Sequence, residues 1–254
     1  MNIIVCAKQV VDVSEIKIDS SSNKPILTGI PVKISDIDKN AMEEAIKIKD
    51  KHGGKITTIT IGPATAKEKI KELLAMGADE AVIIPPPENE DYFVTSKLLS
   101  AAIQKMGDYD LILCGEASID LFSGQIAPRI AGDLHIPQIT YVQQLTADKE
   151  KITAIRNLGD TAITMEATYP VIISVTKEIN EPRLPSLMQI LASANKPIHE
   201  WTPEELQTQT NPMITKIDIK GVAMQRKNVK YEDNLEESIK KLVDDLAKEG
   251  VLGG

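Results

Sequence analysis

The chain is poor in the residues that most often carry chemistry. Among 254 residues there are 2 cysteines, 3 histidines and 1 tryptophan, and aromatic residues make up 3%. Cys6 and Cys114 each sit inside or at the end of an apolar, strand-like run, so they read as small core residues, not as a disulfide or a metal site. His52, His135 and His199 show no metal-like spacing. The net charge is −8, and no run of Lys and Arg is interleaved with aromatics, so nucleic-acid binding has no electrostatic basis. KIKDKHGGK is broken by Asp50 and reads as a solvated helix face. No stretch reaches the ~18 apolar residues of a membrane span, and MNIIVCAKQVVDV lacks a basic leader, which predicts a cytoplasmic protein. GxGxxG, GxxxxGK(S/T), GxSxG and HExxH are all absent, and no acid/base pair is recognisable by motif. Nothing here proposes bond-making chemistry of its own.

What is present supports a full core. Hydrophobic residues make up 42% and charged residues 26%, enough for one large α/β domain or a domain with an arm. NIIVCA (2–7) is a short continuous apolar run, as in a strand buried on both faces. Residues 12–34 alternate and suggest a hairpin-like insertion with a polar turn at Ser20–Pro25. Asp36 or Asp38 is placed to cap a helix through NAMEEAIKIKDK that ends at Gly53-Gly54. KITTITI, EAVIIP and DYDLILC read as further strands. TAKEKIKELLAMGA, DYFVTSKLLSAAIQKM and residues 123–134 read as the helices between and after them. Strand and helix alternate at short spacing, which predicts a doubly wound, mostly parallel α/β sheet with right-handed crossovers.

Beyond residue 136, four strands follow in quick succession (PQITYVQQL, KITAIRN, TAITMEA, YPVIISVTKEI) and are expected to extend the sheet with an antiparallel edge. Residues 196–230 lose the pattern and read as an extended link. YEDNLEESIKKLVDDLAKEGVL then forms an amphipathic helix with Leu235, Ile239, Leu242 and Leu246 on one stripe. The expected division is a core domain over 1–195 and a linker with a helical arm over 196–254.

In open α/β sheets, ligands sit outside the carboxyl ends of the strands. Four such ends are legible: Cys6-Ala7-Lys8, Ser35–Asp38, Ile61-Gly62-Pro63 and Gly115–Gln125. The last is the longest and is rich in small residues, which let backbone N–H groups approach a ligand. Ser123-Gly124-Gln125 opens a helix whose free N–H groups and dipole suit an anion such as a nucleotide phosphate. A strand-to-helix loop needs small residues in any case, so a plain N-cap role for Ser123 stands beside that reading.

Several segments together resemble the electron transfer flavoprotein beta subunit family. KQVVD (8–12) is similar to the family's K-Q/R-V-x-D, AMEEAIKIKDKHGG (41–54) to its A-V-E-E-A-x-x-x-K, and LLAMGADEA (73–81) to its A-x-x-M-G-A-D-x-A/G. CGEASID…SGQ resembles G-x-x-x-I-D…T/A-G/A-Q. INEPRLPSL (179–187) is similar to L-N-E-P-R-x-x-x-L and is the most specific. Order and distances hold from residue 3 to about 198. The resemblance implies a Rossmann-like, adenine nucleotide-binding fold and a heterodimer whose alpha subunit carries a redox-active FAD. It implies a carrier of electrons from acyl-CoA dehydrogenases or similar flavoenzymes, with no substrate chemistry of its own. It also implies AMP, or in electron-bifurcating members a second FAD, bound in this chain.

Carried over by the resemblance, the nucleotide contacts are Cys6, Ala7, Ser35, Asp36, Ile37, Asp38, Ile61, Gly62, Gly115, Ile119, Asp120, Leu121, Phe122, Ser123, Gly124 and Gln125, with the phosphate end at Ser123–Gln125. The family's docking loop for flavin dehydrogenases maps onto Pro185–Asn195 with Leu187 as anchor, and the C-terminal helix maps onto the arm over the alpha subunit. The family's N-P-F/Y-D/C is Ser35-Asp36-Ile37-Asp38 here. Leu121-Phe122 stands where bifurcating members have a polar Gly-Asp pair, although the loop has their length. The Lys cluster after the docking loop is thinned to Ala192-Ser193-Ala194-Asn195-Lys196, and the acidic D-G-G-x-E turn becomes Leu158-Gly159-Asp160-Thr161. A stand-alone nucleotide-binding module and a scaffold subunit without nucleotide remain the alternatives.

Overall fold

The computed structural model describes residues 1–221 and 227–252. The chain forms two compact units, Met1–Lys17 with Ile26–Asp218, and Ile18–Pro25 with Ile219–Gly254. In chain order the elements are β1 (Asn2–Cys6), β2 (Gln9–Val11), β3 (Lys17–Ile18), β4 (Pro25–Ile26), β5 (Val32–Ile34), α1 (Asp36–His52), β6 (Lys55–Ile61), α2 (Ala66–Met76) and β7 (Glu80–Ile84). They continue with α3 (Tyr92–Met106), β8 (Leu111–Gly115), α4 (Ile126–Leu134), β9 (Gln138–Ala147), β10 (Lys151–Asn157), β11 (Ala162–Thr168), β12 (Val171–Val175), α5 (Leu187–Ser193), β13 (Ile198–Glu200) and α6 (Leu235–Lys248).

The main sheet runs β11-β10-β9-β12-β8-β1-β6-β7-β13. It is parallel from β9 through β13, and β10 and β11 add the antiparallel edge. The α/β fold class and its doubly wound, mostly parallel sheet are therefore as expected. Apolar residues on both faces of the central strands make this possible. Ile3 and Val5 of β1 pack with Met42 of α1 and Leu73 of α2, while Ile4 and Cys6 belong to the opposite core with Leu98 of α3 and Ile130 of α4. β2 pairs with β5, and β3 with β4, giving the insertion its paired strands.

Three local readings need correction. First, α1 begins at Asp36, with Ser35 at the N-cap position and both Asp36 and Asp38 in the first turn. Neither aspartate caps the helix. Carboxylates in a first turn face the positive end of the helix dipole, which favours starting the helix this early. Second, residues 123–125 are not helical. Gly124 has φ +64° and Phe122 φ +46°, so the chain enters α geometry only at Gln125, and Ser123 is not a cap. Third, the stretch 185–195 is not an irregular loop. Ser186 and Gln189 form a capping box that starts α5.

The segment after residue 195 also regains order: Ile198–Glu200 extends the sheet edge beside β7. Residues 222–226, within the expected link, lie outside the described residues. In the second unit, α6 has Asn234 as its N-cap and an apolar stripe along which Leu235, Ile239 and Leu242 are exposed.

Gly54 marks the tightest backbone approach beside β1. Its φ is +116°, and a Cβ there would lie 1.9 Å from the Met1 carbonyl oxygen. Gly54→Ala combines a strained backbone with a backbone clash, and is expected to destabilise by about 1–3 kcal/mol. A calorimetric melting curve checks this. An unchanged midpoint would mean that the first residue simply moves aside.

Candidate functional site at the strand ends

The chain leaves β1 through α1 toward β6 on one side, and returns through α3 to β8 on the other side of β1. The topological switch point therefore lies at the carboxyl ends of β1 and β8, where open α/β sheets leave a crevice. In the β1–β8 ladder Cys6 sits opposite Cys114, and both thiols are buried. Burial, aided by the charge of Asp38, pushes Cys6 up to about 12. Cys114 is raised well above its ordinary value by burial, then by Cys6 and Asp38. Both stay protonated at neutral pH and act as core.

Beyond this pair, five residues are wired together. Asp38 accepts from the Lys8 amide through Oδ2 at 2.9 Å and from the Gly115 amide through Oδ1 at 3.1 Å. Ser35 donates its own amide to the Lys8 carbonyl at 2.9 Å. The Lys8 ammonium then reaches the Asp120 carboxylate at 2.7 Å. Lys8 thus binds the start of α1 with its backbone and the β8–α4 loop with its side chain. Burial raises the Asp120 carboxyl, but the Lys8 bond, a Ser118 hydrogen bond and the Lys8 charge outweigh it and hold the group below its ordinary value. Asp38 is the opposite case: burial lifts it to about 7 against the two amide bonds and the Lys8 charge, and Asp120 adds to the rise.

The other sequence-predicted residues divide clearly. Ala7 donates to the Ile59 carbonyl and accepts from the Thr60 hydroxyl, so it joins the ends of β1 and β6. Gly62, beside the last residue of β6, Ile61, donates to Ile84. Ile37 is buried beneath Gly115, where an added Cβ would lie 3.0 Å from its Cγ2, so it is core. Asp36 is half-buried and paired with Lys33 at 3.0 Å. Ile119, Ser123, Gly124 and Gln125 are half-buried in the loop, while Leu121 and Phe122 are exposed at its tip, where the Phe122 amide closes a turn onto the Ser118 carbonyl. Leu187 lies apart, at the start of α5, which rests against α2.

Sequence reasoning missed several residues. Lys8 entered as the end of a strand and as part of a motif but not as a site residue, although a cation directly beyond a strand end is itself a signal. Gln125 is gripped at its Oε1 by Nε and Nη2 of Arg129, an i,i+4 pair readable on the helix that follows. Glu90 and Glu116 have carboxyls raised by burial, and Glu90 feels the charges of Lys8 and Asp120.

The crevice offers three kinds of binding group. Ser35 Oγ is buried and has no hydrogen-bond partner among the described residues. The N-terminus of α4 has no side-chain cap, so no side chain of the helix start takes up its first amides. Gly124 supplies left-handed backbone, and a Cβ there would meet the Tyr141 hydroxyl at 3.4 Å. Hydroxyl-bearing groups and an anion such as a phosphate suit this set. The described residues also line two cavities elsewhere. One, of about 350 Å³, is walled by Pro85–Pro87 and Thr202–Glu204. The other, of about 340 Å³, is walled by α1 and β9 near Lys47, His52 and Gln144. Neither contains a predicted site residue. No helix among the described residues is long and apolar enough to cross a membrane, and no metal-holding cluster occurs among them.

Sheet order, crossovers and a strand-end loop leading into a helix define a Rossmann-like α/β protein. A family model for the electron transfer flavoprotein domain matches residues 26–206. The chain is 38% identical to "Electron transfer flavoprotein subunit beta" of Thermoanaerobacterium thermosaccharolyticum over 99% of this chain and 100% of that protein. It is 38% identical to the protein of the same name from Clostridium acetobutylicum, over 81% of this chain and 80% of the relative. It is also 36% identical to "Caffeyl-CoA reductase-Etf complex subunit CarD" of Acetobacterium woodii, over 81% and 80%. The chain belongs to the electron transfer flavoprotein beta subunit family.

Proposed function

We propose that this chain is the beta-type subunit of a heterodimeric electron carrier and that it holds an adenine nucleotide, AMP or FAD, at the ends of β1 and β8. The observation that carries the reading is the crevice itself. An orphaned buried hydroxyl at Ser35, the uncapped amides of α4 and the left-handed Gly124 converge at the switch point, within one network of Lys8, Asp38 and Asp120. Ser35 would bond the ligand's hydroxyls, and Ser123–Gln125 with the first turn of α4 would bond a phosphate. A flavin, when bound, supplies the electron-accepting ring. This chain's residues bind, orient and shield.

The partner is a flavin-bearing alpha subunit, covered by the 196–254 arm, while the 1–195 core presents α5 with Leu187 to flavin dehydrogenases or reductases. The reading places the carrier in the cytoplasm, without substrate chemistry of its own. The relatives support it: two are electron transfer flavoprotein beta subunits and one belongs to a reductase–Etf complex.

The test is to purify the complex with its flavoprotein partner, denature it, and count FAD and AMP by chromatography. One FAD and one AMP per heterodimer, or two FAD, supports a nucleotide in this crevice and says which one. One FAD alone leaves this chain as a scaffold and sinks the nucleotide reading.

A further inference from the structure

In a parallel sheet, the last amides beyond the ladder are free to meet a ligand. At this switch point a protein side chain has taken them. The β1–β8 ladder ends at Cys6 and Cys114. Just past it, the amides of Lys8 and Gly115 both donate to one carboxylate, that of Asp38, from the first turn of α1. Asp38 is 6% exposed. The fit leaves no slack: a Cβ on Gly115 would fall 2.6 Å from Oδ1. We propose that Asp38 is the positioning residue of the crevice: its carboxylate ties the end of β1 to the end of β8 and so sets where the loop Gly115–Gln125 begins. This rests on the reading that the loop holds a nucleotide, but it changes Asp38's part in it. With each oxygen turned to a backbone amide, the part of Asp38 is first to place the groups that meet the ligand.

The tether carries a proton-dependent element. The titratable and charged groups that face it are Cys6 and Lys8 on the β1 side, Cys114 on β8 and Asp120 in the loop. On its own helix, Asp36 is engaged with Lys33. Among these, Asp38 itself is the group that titrates near neutrality, at about 7. Above that value the carboxylate accepts both amides. Below it, one oxygen carries a proton and a tie weakens. A carboxyl raised in the folded state gives stability that is present at low pH and is lost as pH rises from its unfolded value through about 7. The ionised tether is therefore held against the fold's own preference, as expected of a group kept for position.

The test uses the nucleotide-stripped complex and AMP as the probe. Calorimetric dissociation constants at pH 6, 7 and 8 are compared for the native chain and Asp38→Asn, which can offer only one good acceptor. A bound state that needs the ionised tether loses affinity about tenfold from pH 8 to pH 6 beyond the phosphate's own titration. The phosphate's ionisation acts in both proteins and cancels in the comparison. Asp38→Asn is expected to bind about tenfold more weakly at pH 8 and to lack the extra pH dependence. Equal affinity with the same profile overturns the proposal.

A second readout needs neither ligand nor variant. In amide NMR of the native chain, the Lys8 and Gly115 signals should move together with one midpoint near neutrality. Independent or absent movement overturns the tether even if the variant fails to fold. If native protein binds neither AMP nor FAD at any pH, the nucleotide reading falls, while the paired amide titration still judges the tether.

Discussion

Replacing Arg183 with Met is expected to lower the melting midpoint by about 6–12 °C, from a loss of about 3 kcal/mol at about 2–4 °C per kcal/mol for a chain of this size. The cause lies under Arg183. Glu43, in α1, is 4% exposed, and Arg183 holds both its oxygens: Nε lies 2.9 Å from Oε2 and Nη2 3.0 Å from Oε1, and the Arg183 backbone amide adds a bond to Oε2. Asp50 lies farther along the same guanidinium. One turn away, Asn180 donates to the Asn40 carbonyl and to Glu44, while Asn40 donates back to the Lys177 and Asn180 carbonyls. The N-E-P-R stretch and the A-M-E-E-A stretch, so far apart in sequence, are one buried clamp. Removing the arginine strands a carboxylate in the core, and that penalty exceeds the worth of the pair itself. The size is set at the low end of the usual range of about 3–5 kcal/mol because the Arg183 side chain is 38% exposed. Adding Glu43→Gln should recover part of the loss, since no charge is then left buried. A single Arg183→Met variant that melts within a degree or two of the native protein would show that Glu43 reaches water unaided.

This clamp also shows what the sequence could and could not announce. Local patterns were legible: apolar runs for β1, β6, β7 and β8, and glycine stops after α1 and α2. Where the strands lie in the sheet was not legible. β12 inserts between β8 and β9, and β13 adds at the far edge, because order in a sheet is decided by which faces remain to be covered, not by propensity. The short helix α5 was hidden by expecting a loop, although its Ser-x-x-Gln box was in plain view. At the crevice, the strand ends named from the sequence do lie side by side, but the parts their residues play there were not legible. Asp38 looks like a cap in one dimension and is a cross-strand tie in three, because the partner amides come from residues 30 and 77 positions away. Ile37, quoted beside it, turns inward to the core.

Leu187→Ala is expected to cut the second-order rate of electron uptake from a partner flavoenzyme about 30-fold, with the melting point unchanged. Leu187 is 72% exposed in the chain, and Leu184, Met188, Ile190 and Leu191 around it are exposed as well. A cluster of that kind on one short helix contributes little to the monomer, so truncation should leave stability within about 0.5 kcal/mol. In a docked complex the same side chain would fill a pocket and be stripped of water, where removal of an anchor costs about 2 kcal/mol, or about 30-fold. α5 is held rigidly enough to present it. The capping box fixes its start. At its far end, the Lys196 ammonium bonds the Leu74 and Ala78 carbonyls that close α2. The Arg183 clamp anchors the segment before it. Stopped-flow reduction of the complex by a flavin dehydrogenase, with Leu187→Ala and an exposed control such as Ile26→Ala outside α5, separates docking from general surface change. A matching loss in both variants, or none in Leu187→Ala, would remove α5 from the electron-donor interface. A loss in Leu187→Ala that is absent in Ile26→Ala, together with a loss in Arg183→Met alone, would tie partner docking to the buried clamp, since freeing the segment that leads into α5 costs binding energy in ordering the anchor again.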